Sequence, residues 1–231
     1  MTSTTDDQPD SAERVDTAVL DVDGTLVDTV YQHTDAWSRA FAEVGVHVPR
    51  FRVHRAIGMG GDRLITEVAG QQVEDEHGDT LRARHDELFG EVLDEVVALP
   101  GAADLLRALR VRGLKVVLAS SGEAEQTSRL LALVEGSDRV DGRTSSADVD
   151  RSKPAPDLVD AAVEQAGGTV AAVVGDAVWD VAAARERGRY CIGLLCGGFG
   201  EGELREAGAA RVYPTPRELV DDLDATPLSG G

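Results

Sequence analysis

The sequence predicts an α/β fold in which helices cover both faces of a parallel sheet. After residue 98, short apolar runs alternate with amphipathic helical segments, which is the pattern of parallel strands joined by crossover helices. No good strand occurs between residues 30 and 97, although an apolar run directly precedes this stretch. We therefore expect a Rossmann-like core from residues 15–29 and 98–226, and an inserted α-helical cap from residues 30–97.

The ends of the chain lack the apolar residues that would hold them to a core. Residues 1–14 consist mainly of Thr, Ser, Asp, Gln and Pro, and burial in such a segment does not offset the entropy lost on ordering. We expect a disordered tail over residues 1–14 and a loose tail over residues 227–231.

The first elements follow from apolar spacing. Residues 18–20 are an apolar run suited to a strand that is buried on both faces. In residues 30–44 the apolar positions recur at helical spacing, which gives one buried face. Further helices of the block are expected at 51–57, 62–68 and 79–97, separated by glycines.

The second half repeats a strand and helix unit. A helix over 102–112 ends at Gly113, and the β-branched run over 115–119 predicts the next strand. The remaining strands are expected near Val140 and at 170–174, 190–195 and 211–213. The remaining helices are expected at 123–133, 155–165, 180–187 and 216–223.

Composition excludes several classes of partner. The formal net charge of -19 disfavours nucleic acid and anionic lipid, because both bind through basic patches. The apolar runs are too short to span a membrane, and the first residues do not resemble a signal peptide, so we expect a cytoplasmic protein. The only cysteines, Cys191 and Cys196, are expected to be reduced thiols.

Polar residues suited to phosphate chemistry follow four predicted strands. Asp21 and Asp23 come directly after the first strand, and Gly24 with Thr25 forms a tight turn whose free amides are expected to face an anion. Because the carboxyl ends of parallel strands share one edge of a sheet, this stretch predicts a phosphate-handling site there. An acidic helix cap is the ordinary alternative for such a string.

Three further groups are expected at the same edge. Ser120 and Ser121 follow the second strand and offer a hydroxyl and turn amides to phosphoryl oxygens. Lys153 precedes two prolines that fix the local backbone, and it is one of only two lysines among 23 basic residues. Asp176 follows the fourth strand, with Asp180 one helical turn later. Taken singly, a serine or aspartate here often only caps a helix.

In this order, the four groups resemble the motifs of the haloacid dehalogenase superfamily of phosphohydrolases, in the branch with a helical cap after the first strand. The resemblance covers residues 16–224 and is closest to phosphoglycolate phosphatases and β-phosphoglucomutases. Ala177 departs from the pattern, since the fourth motif often carries Ser or Thr after its first Asp.

The resemblance implies a role for each core residue. Asp21 is the expected nucleophile that forms an aspartyl-phosphate, and Asp23 is the expected general acid and base, protonated near neutral pH when substrate binds. Gly24, Ser120, Ser121 and Lys153 are expected to bind the transferred phosphoryl group.

The resemblance also implies Mg²⁺ as the cofactor. A hard cation prefers oxygen ligands, and those expected are the side chains of Asp21 and Asp176 with the backbone carbonyl of Asp23. Asp180 is expected to orient Lys153 or a metal-bound water. The expected reaction is hydrolysis of a small phosphorylated metabolite, either like phosphoglycolate or like a sugar phosphate.

Three other activities compete with this interpretation. A dehalogenase is disfavoured because dehalogenases of this fold do without the second acid, which is present here as Asp23. A binding module without activity is disfavoured because it would have a broken motif, and none of the four motifs in this chain is broken. A β-phosphoglucomutase is the main alternative, because His33 and Trp37 follow Asp23 at similar intervals. However, the cap loop GMGGDRL has no arginine at the corresponding place, and Arg63 lies two positions later.

Cap residues are expected to choose the substrate. Arg63 and His33 are the main candidates, and Arg55 and Arg84 are further arginines that could reach an anionic leaving group. The sequence does not choose between phosphoglycolate-like and sugar-phosphate substrates, and it predicts no oligomeric state.

Overall fold

The computed structural model describes residues 14–145 and 152–230, and residues 1–13 of the tail predicted over 1–14 lie outside this range. Its six parallel strands form one sheet in the order β3-β2-β1-β4-β5-β6. The strands are β1 (Thr17–Leu20), β2 (Lys115–Ala119), β3 (Gly142–Thr144), β4 (Ala171–Gly175), β5 (Tyr190–Leu194) and β6 (Arg211–Tyr213). The predicted α/β fold class is confirmed.

Ten α-helices accompany the sheet within the described ranges. The first four, between β1 and β2, are α1 (Val30–Glu43), α2 (Arg50–Ala56), α3 (Gly61–Ala69) and α4 (Gln71–Val92). The others are α5 (Ala102–Val111), α6 (Ala124–Leu131), α7 (Asp157–Gln165), α8 (Val178–Arg185), α9 (Glu201–Ala207) and α10 (Pro216–Asp221).

Four elements differ from the sequence prediction. Helix α4 begins at Gln71 instead of residue 79, and α9 was not predicted at all. Strand β3 begins two residues after Val140, because the apolar signal there belongs to the connection before the strand. The tail is not loose at 227–229, which form a 3-10 turn with Leu228 fully buried.

Strand β1 lies at the centre of the sheet and is shielded on both faces. Ala18 and Leu20 pack into one buried cluster, whereas Val19 packs into a second cluster on the opposite face. This alternation follows from the two-residue period of a strand. The central position of β1 places the residue after Leu20 between the ends of β2 and β4.

The helical block joins the sheet through two adjacent segments. Asp28 N–H donates to the carbonyl of Val97 at 3.0 Å, and Leu99 N–H donates to the carbonyl of Leu26 at 2.9 Å. Buried side chains of the block, such as Trp37 and Phe89, belong to the same apolar cluster as one face of the sheet. The block therefore sits over the carboxyl ends of the strands, and its division from the core as a separate cap stays a prediction.

Among the described residues, no helix is both long and apolar enough to cross a bilayer. Cys191 and Cys196 are free thiols, as the sequence predicted.

The net charge generates a prediction about stability. Repulsion among the charges of a chain at -19 opposes the compact state, and salt screens charges separated by more than about 8 to 10 Å near physiological strength. We expect the melting temperature to rise between low and moderate NaCl, measured by circular dichroism. The measurement is made in chelator, so that cation binding at the acidic site does not contribute, and a flat or falling curve would contradict the prediction.

Candidate active site

The sheet brings the four predicted groups together at its carboxyl edge. Asp21 follows the central strand β1, Ser120 follows β2 and Asp176 follows β4. Lys153 reaches the same point from the segment before α7, although that segment lies far from β1 in sequence. All four side chains are buried, none being more than 5% exposed.

Lys153 lies at the centre of the polar cluster. Its ammonium contacts Oδ1 of Asp21 and lies 2.8 Å from Oδ1 of Asp180. Burial alone would lower the pKa of Lys153, but the charges of Asp180 and Asp21 outweigh it and raise the pKa. The lysine therefore stays charged at the position where a transferred phosphoryl group would need a counter-charge. Of the two partners that the resemblance implied for Asp180, Lys153 or a metal-bound water, the structure shows the contact with Lys153.

Asp176 and Asp21 form the floor of the site with their carboxylates. Burial raises the pKa of Asp21 to about 7, against the attraction of Lys153, and burial also raises the pKa of Asp176 well above its ordinary value. Thr25 donates its hydroxyl to Asp176 at 2.9 Å and fixes the orientation of that carboxylate.

These acidic residues fit a divalent cation. Ligand oxygens of Asp21, Asp176 and Asp180 lie within 4.8 Å of one another and are buried. A hard cation would offset the repulsion among them, and oxygen donors suit Mg²⁺. Asp180 already accepts from the Ala177 amide at 3.1 Å and faces Lys153, so Asp21 and Asp176 are the better available ligands.

Two glycines make room for Asp176. A Cβ on Gly24, where φ is +77°, would lie 2.3 Å from Oδ2 of Asp176, and a Cβ on Gly197 would lie 1.9 Å from the same atom. The sequence prediction for Gly24 was different: its amide and that of Thr25 were expected to face an anion. Instead they donate to the carbonyls of Val27 and Val22, so Gly24 contributes space and not an amide.

Asp23 is held by three side chains. Oδ1 accepts from the Thr29 hydroxyl at 2.8 Å and lies 3.1 Å from Nε2 of His33, while Oδ2 accepts from the Ser120 hydroxyl at 3.2 Å. Burial alone would raise the pKa of Asp23, but the bonds from His33, Thr29 and Ser120 lower it. The substrate-free site therefore favours ionised Asp23, whereas the sequence analysis expected a protonated acid once substrate binds. The sequence analysis did not identify Thr29.

His33 connects Asp23 to the helical block. Its Nδ1 lies 3.0 Å from Nε2 of His85, and Nδ1 of His85 lies 3.0 Å from Oδ1 of Asp86. The His33 ring stacks on Phe89 with centroids 3.8 Å apart, and His85 stacks on Trp37 at 4.3 Å. Of these residues the sequence singled out His33 and Trp37. No spacing in the sequence pointed to His85, because 51 residues separate it from His33.

A cavity of about 180 Å³ opens above Asp21 and Asp23, between the helical block and the sheet. Its described lining consists of Asp21, Asp23, His33, Trp37, Ile57, Gly58, Met59, Gly61, Leu64, Arg82, His85, Asp86, Ser121, Gly122, Glu123 and Gln126. The cavity is large enough only for a small molecule, and its upper wall is supplied by the block.

The predicted cap arginines lie elsewhere. Arg63 is exposed on α3 and does not line the cavity. Arg55 pairs with Glu203, and Arg84 pairs with Glu43 and Glu87 at the surface. The arginine that does line the cavity is Arg82, which the sequence analysis did not select.

The loop after α2 rests on the sheet edge. The Ser121 hydroxyl donates to the carbonyl of Gly58 at 3.0 Å, and Trp179 Nε1 donates to the carbonyl of Arg55 at 3.1 Å. Nε2 of His54 lies 3.0 Å from the carbonyl of Gly197. The Ser121 hydroxyl therefore holds the helical block against the core, and phosphate binding at Ser121 stays a prediction.

Relatives of known name share most of this chain. A phosphonoacetaldehyde hydrolase from Bordetella pertussis is 30% identical, and the match covers 94% of this chain and 86% of that protein. A phosphoglycolate phosphatase from Caulobacter vibrioides is 28% identical, covering 91% and 93%.

Solved structures with the same fold include a hydrolase from Pseudomonas syringae, with a TM-score of 0.86 and 35% identity over 90% of this chain and 98% of the other. A putative β-phosphoglucomutase from Bacteroides vulgatus has a TM-score of 0.82 and 20% identity, covering 93% and 89%, and at this identity it shows the fold alone.

The family model for haloacid dehalogenase-like hydrolases matches residues 15–188. This span contains the strand-end residues Asp21, Ser120, Lys153, Asp176 and Asp180 described above. With both the family match and the 30% identical relative, the chain belongs to the haloacid dehalogenase-like hydrolase family.

Proposed function

We propose that this enzyme is a Mg²⁺-dependent phosphatase that hydrolyses small phosphomonoesters through an aspartyl-phosphate on Asp21. The observation that carries the proposal is the placement of Asp21 at the floor of the cavity, against the buried ammonium of Lys153 and beside Asp23. A carboxylate so placed can attack phosphorus while a fixed positive charge offsets the negative charge of the phosphoryl group.

The first step transfers the phosphoryl group. A carboxylate oxygen of Asp21 forms a bond to phosphorus as the bond between phosphorus and the leaving oxygen breaks. Asp23 donates its proton to this leaving oxygen, which departs as an alcohol. The second step reverses the roles: Asp23 takes a proton from water, whose oxygen attacks phosphorus, and the bond to Asp21 breaks. Inorganic phosphate leaves, and both aspartates return to their starting forms.

Asp23 must carry a proton in the first step, although His33, Thr29 and Ser120 lower its pKa in the substrate-free site. A bound phosphate places negative charge beside Asp23, and a like charge raises the pKa of a carboxyl group. Substrate binding therefore favours the protonated form of Asp23 that the first step requires. In this view, Thr29 and Ser120 orient Asp23 in both protonation states.

Asp21 and Asp176 would hold Mg²⁺, with the Asp23 carbonyl as a third ligand. Bound there, the cation would offset negative charge on the phosphoryl group and on Asp21. Lys153 contributes a further positive charge beside Asp21, and Asp180 holds that lysine in place.

Neither lysine of this chain is placed to act as the amine in hydrolysis of phosphonoacetaldehyde, the reaction that names the 30% identical relative from Bordetella pertussis. Cleaving a carbon–phosphorus bond next to an aldehyde leaves a carbanion, and a lysine can stabilise it by forming an imine with the aldehyde. Of the two lysines, Lys153 is buried in ion pairs. Lys115 lies at the amino end of β2, away from the site, and donates a hydrogen bond to the carbonyl of Gly167. We therefore favour oxygen esters over phosphonates.

A turnover screen tests the proposal. We expect phosphate release from several small phosphomonoesters with Mg²⁺, loss of release in EDTA, and no release from phosphonoacetaldehyde. Asp23→Asn should abolish turnover because asparagine cannot exchange a proton with the leaving oxygen or water. Failure of every ester with Mg²⁺ would refute the function.

Product analysis separates a phosphatase from a mutase, which would use the same core residues. The enzyme receives β-glucose 1-phosphate, a trace of the 1,6-bisphosphate and Mg²⁺, and both glucose 6-phosphate and free phosphate are followed. We expect free phosphate as the main product, since the loop from Gly58 to Gly61 has few side chains to retain a sugar phosphate. Isomer formed much faster than phosphate would establish the mutase instead.

Lys153→Arg tests the need for a compact charge. Arginine keeps the positive charge, but its larger planar group does not fit between Asp21 and Asp180. We expect a folded protein, by thermal melting, that has lost most phosphatase activity. Lys115→Arg is the matched control and should retain activity, because Lys115 lies outside the site. Turnover by Lys153→Arg at the wild-type rate would remove the lysine from the proposed site.

A further inference from the structure

The cavity above Asp23 has one arginine in its described lining, and that arginine is already paired. Nη1 of Arg82 donates to Oε1 of Glu74 at 2.7 Å, and Nη2 donates to Oδ1 of Asp79 at 2.8 Å. One positive charge thus faces two carboxylates of the same helix, α4. Arg82 therefore brings no net positive charge to the cavity.

The pair between Arg82 and Glu74 spans two turns of α4 and depends on a glycine between them. A Cβ on Gly78 would lie 2.7 Å from Oε1 of Glu74 and 2.9 Å from Nη2 of Arg82. Gly78 is buried, and the Glu74 side chain is only 17% exposed. Glycine weakens a helix interior. At position 78 it leaves the space in which Glu74 and Arg82 pair, which any larger residue would occupy.

Two further carboxylates line the cavity, one from the helical block and one from the core. Asp86 faces the cavity beside His85, and Glu123 faces it from the start of α6, where its Oε2 accepts from the amide of Glu125 at 3.2 Å. Burial lowers the pKa of His85 to about 4, so this ring adds no charge near neutral pH. Trp37 contributes an aromatic face.

From this charge distribution we propose that the cavity selects phosphomonoesters whose leaving alcohol carries no second negative charge, and that it accepts an amine better than a carboxylate. The inference rests on the proposed phosphatase function and names its substrate class. Lys153 offsets the phosphoryl charge below, while the paired Arg82, with Asp86 and Glu123, repels an anion above.

Coulomb's law gives the expected size of the effect. At a separation of about 8 Å and an effective dielectric constant near 20, a second anion is disfavoured by roughly three-fold to thirty-fold, depending on screening by salt. The preference should therefore shrink as NaCl is added.

Three esters of similar size test the proposal: 2-aminoethyl phosphate, 2-hydroxyethyl phosphate and phosphoglycolate. They differ mainly in the charge at the second carbon. We expect kcat/KM for the amine and the alcohol to exceed that for phosphoglycolate by about ten-fold at low salt. A preference for phosphoglycolate would overturn the inference but leave the phosphatase function intact, whereas no turnover of any ester would refute the function itself.

Variants of α4 assign the effect to Arg82 and its partner. Glu74→Gln leaves Arg82 with one carboxylate fewer and should reduce the discrimination against phosphoglycolate several-fold. Glu76→Gln removes the same charge from the exposed side of the helix, where Glu76 accepts from Gln72, and should leave the discrimination unchanged. Equal effects of the two variants would show that overall charge, and not the pair, is responsible, which overturns the inference.

Arg82→Gln separates two opposite roles. If Arg82 is neutralised by its partners, its loss makes the cavity more negative and increases the discrimination against phosphoglycolate. If Arg82 instead binds a substrate anion, the wild type prefers phosphoglycolate and Arg82→Gln specifically loses activity on it. That result would overturn the inference. The ratio of kcat/KM values for two substrates does not depend on the fraction of folded protein, so a loss of stability does not obscure the result.

Discussion

The burial of three carboxylates at one edge of the sheet is the constraint on which the rest of the site depends. Asp21, Asp176 and Asp180 are each at most 5% exposed, and charges taken from water at this depth are costly unless paired. Lys153 supplies one compensating charge within the structure, and a divalent cation would supply the other. Removing the lysine would leave uncompensated charge in the core, which gives a physical reason for a buried ammonium in a chain that contains only two lysines.

The helical block and the carboxyl edge of the sheet together enclose the cavity. It supplies the carbonyl of Gly58 to Ser121, the backbone of Arg55 to Trp179, and His54 to the loop after β5. Of these residues Ser121 and Gly58 line the cavity, and Asp21 below it is only 5% exposed. A water-poor site strengthens the interaction of a phosphoryl group with Lys153.

The stacked rings above Asp23 link its position to the packing of α4 on α1. His33 bonds Asp23 and stacks on Phe89, while His85 bonds His33 and stacks on Trp37. The same helix carries the pair between Arg82 and Glu74, so α4 contributes both to the placement of Asp23 and to the charge of the cavity. A shift of this helix would therefore alter both.

Apolar runs and their spacing were enough to predict the parallel α/β core and the placement of Asp21, Ser120 and Asp176 at strand ends, because the carboxyl ends of parallel strands share one edge of the sheet. Lys153 was predicted at the same edge from its proline-fixed loop. The family resemblance implied that Asp180 orients either Lys153 or a metal-bound water, and the contact with Lys153 is visible only in the structure.

The contacts that join distant segments depend on tertiary packing. The turn after Asp21 uses the amides of Gly24 and Thr25 internally, so Gly24 serves to admit Asp176, a residue 152 positions later. His85 and Arg82 reach the cavity because α4 crosses α1, and Arg63 faces solvent because its own helix turns it outward. Apolar periodicity identifies which face of a helix is buried, but which polar side chains meet across two elements depends on how those elements pack, and no local pattern records that.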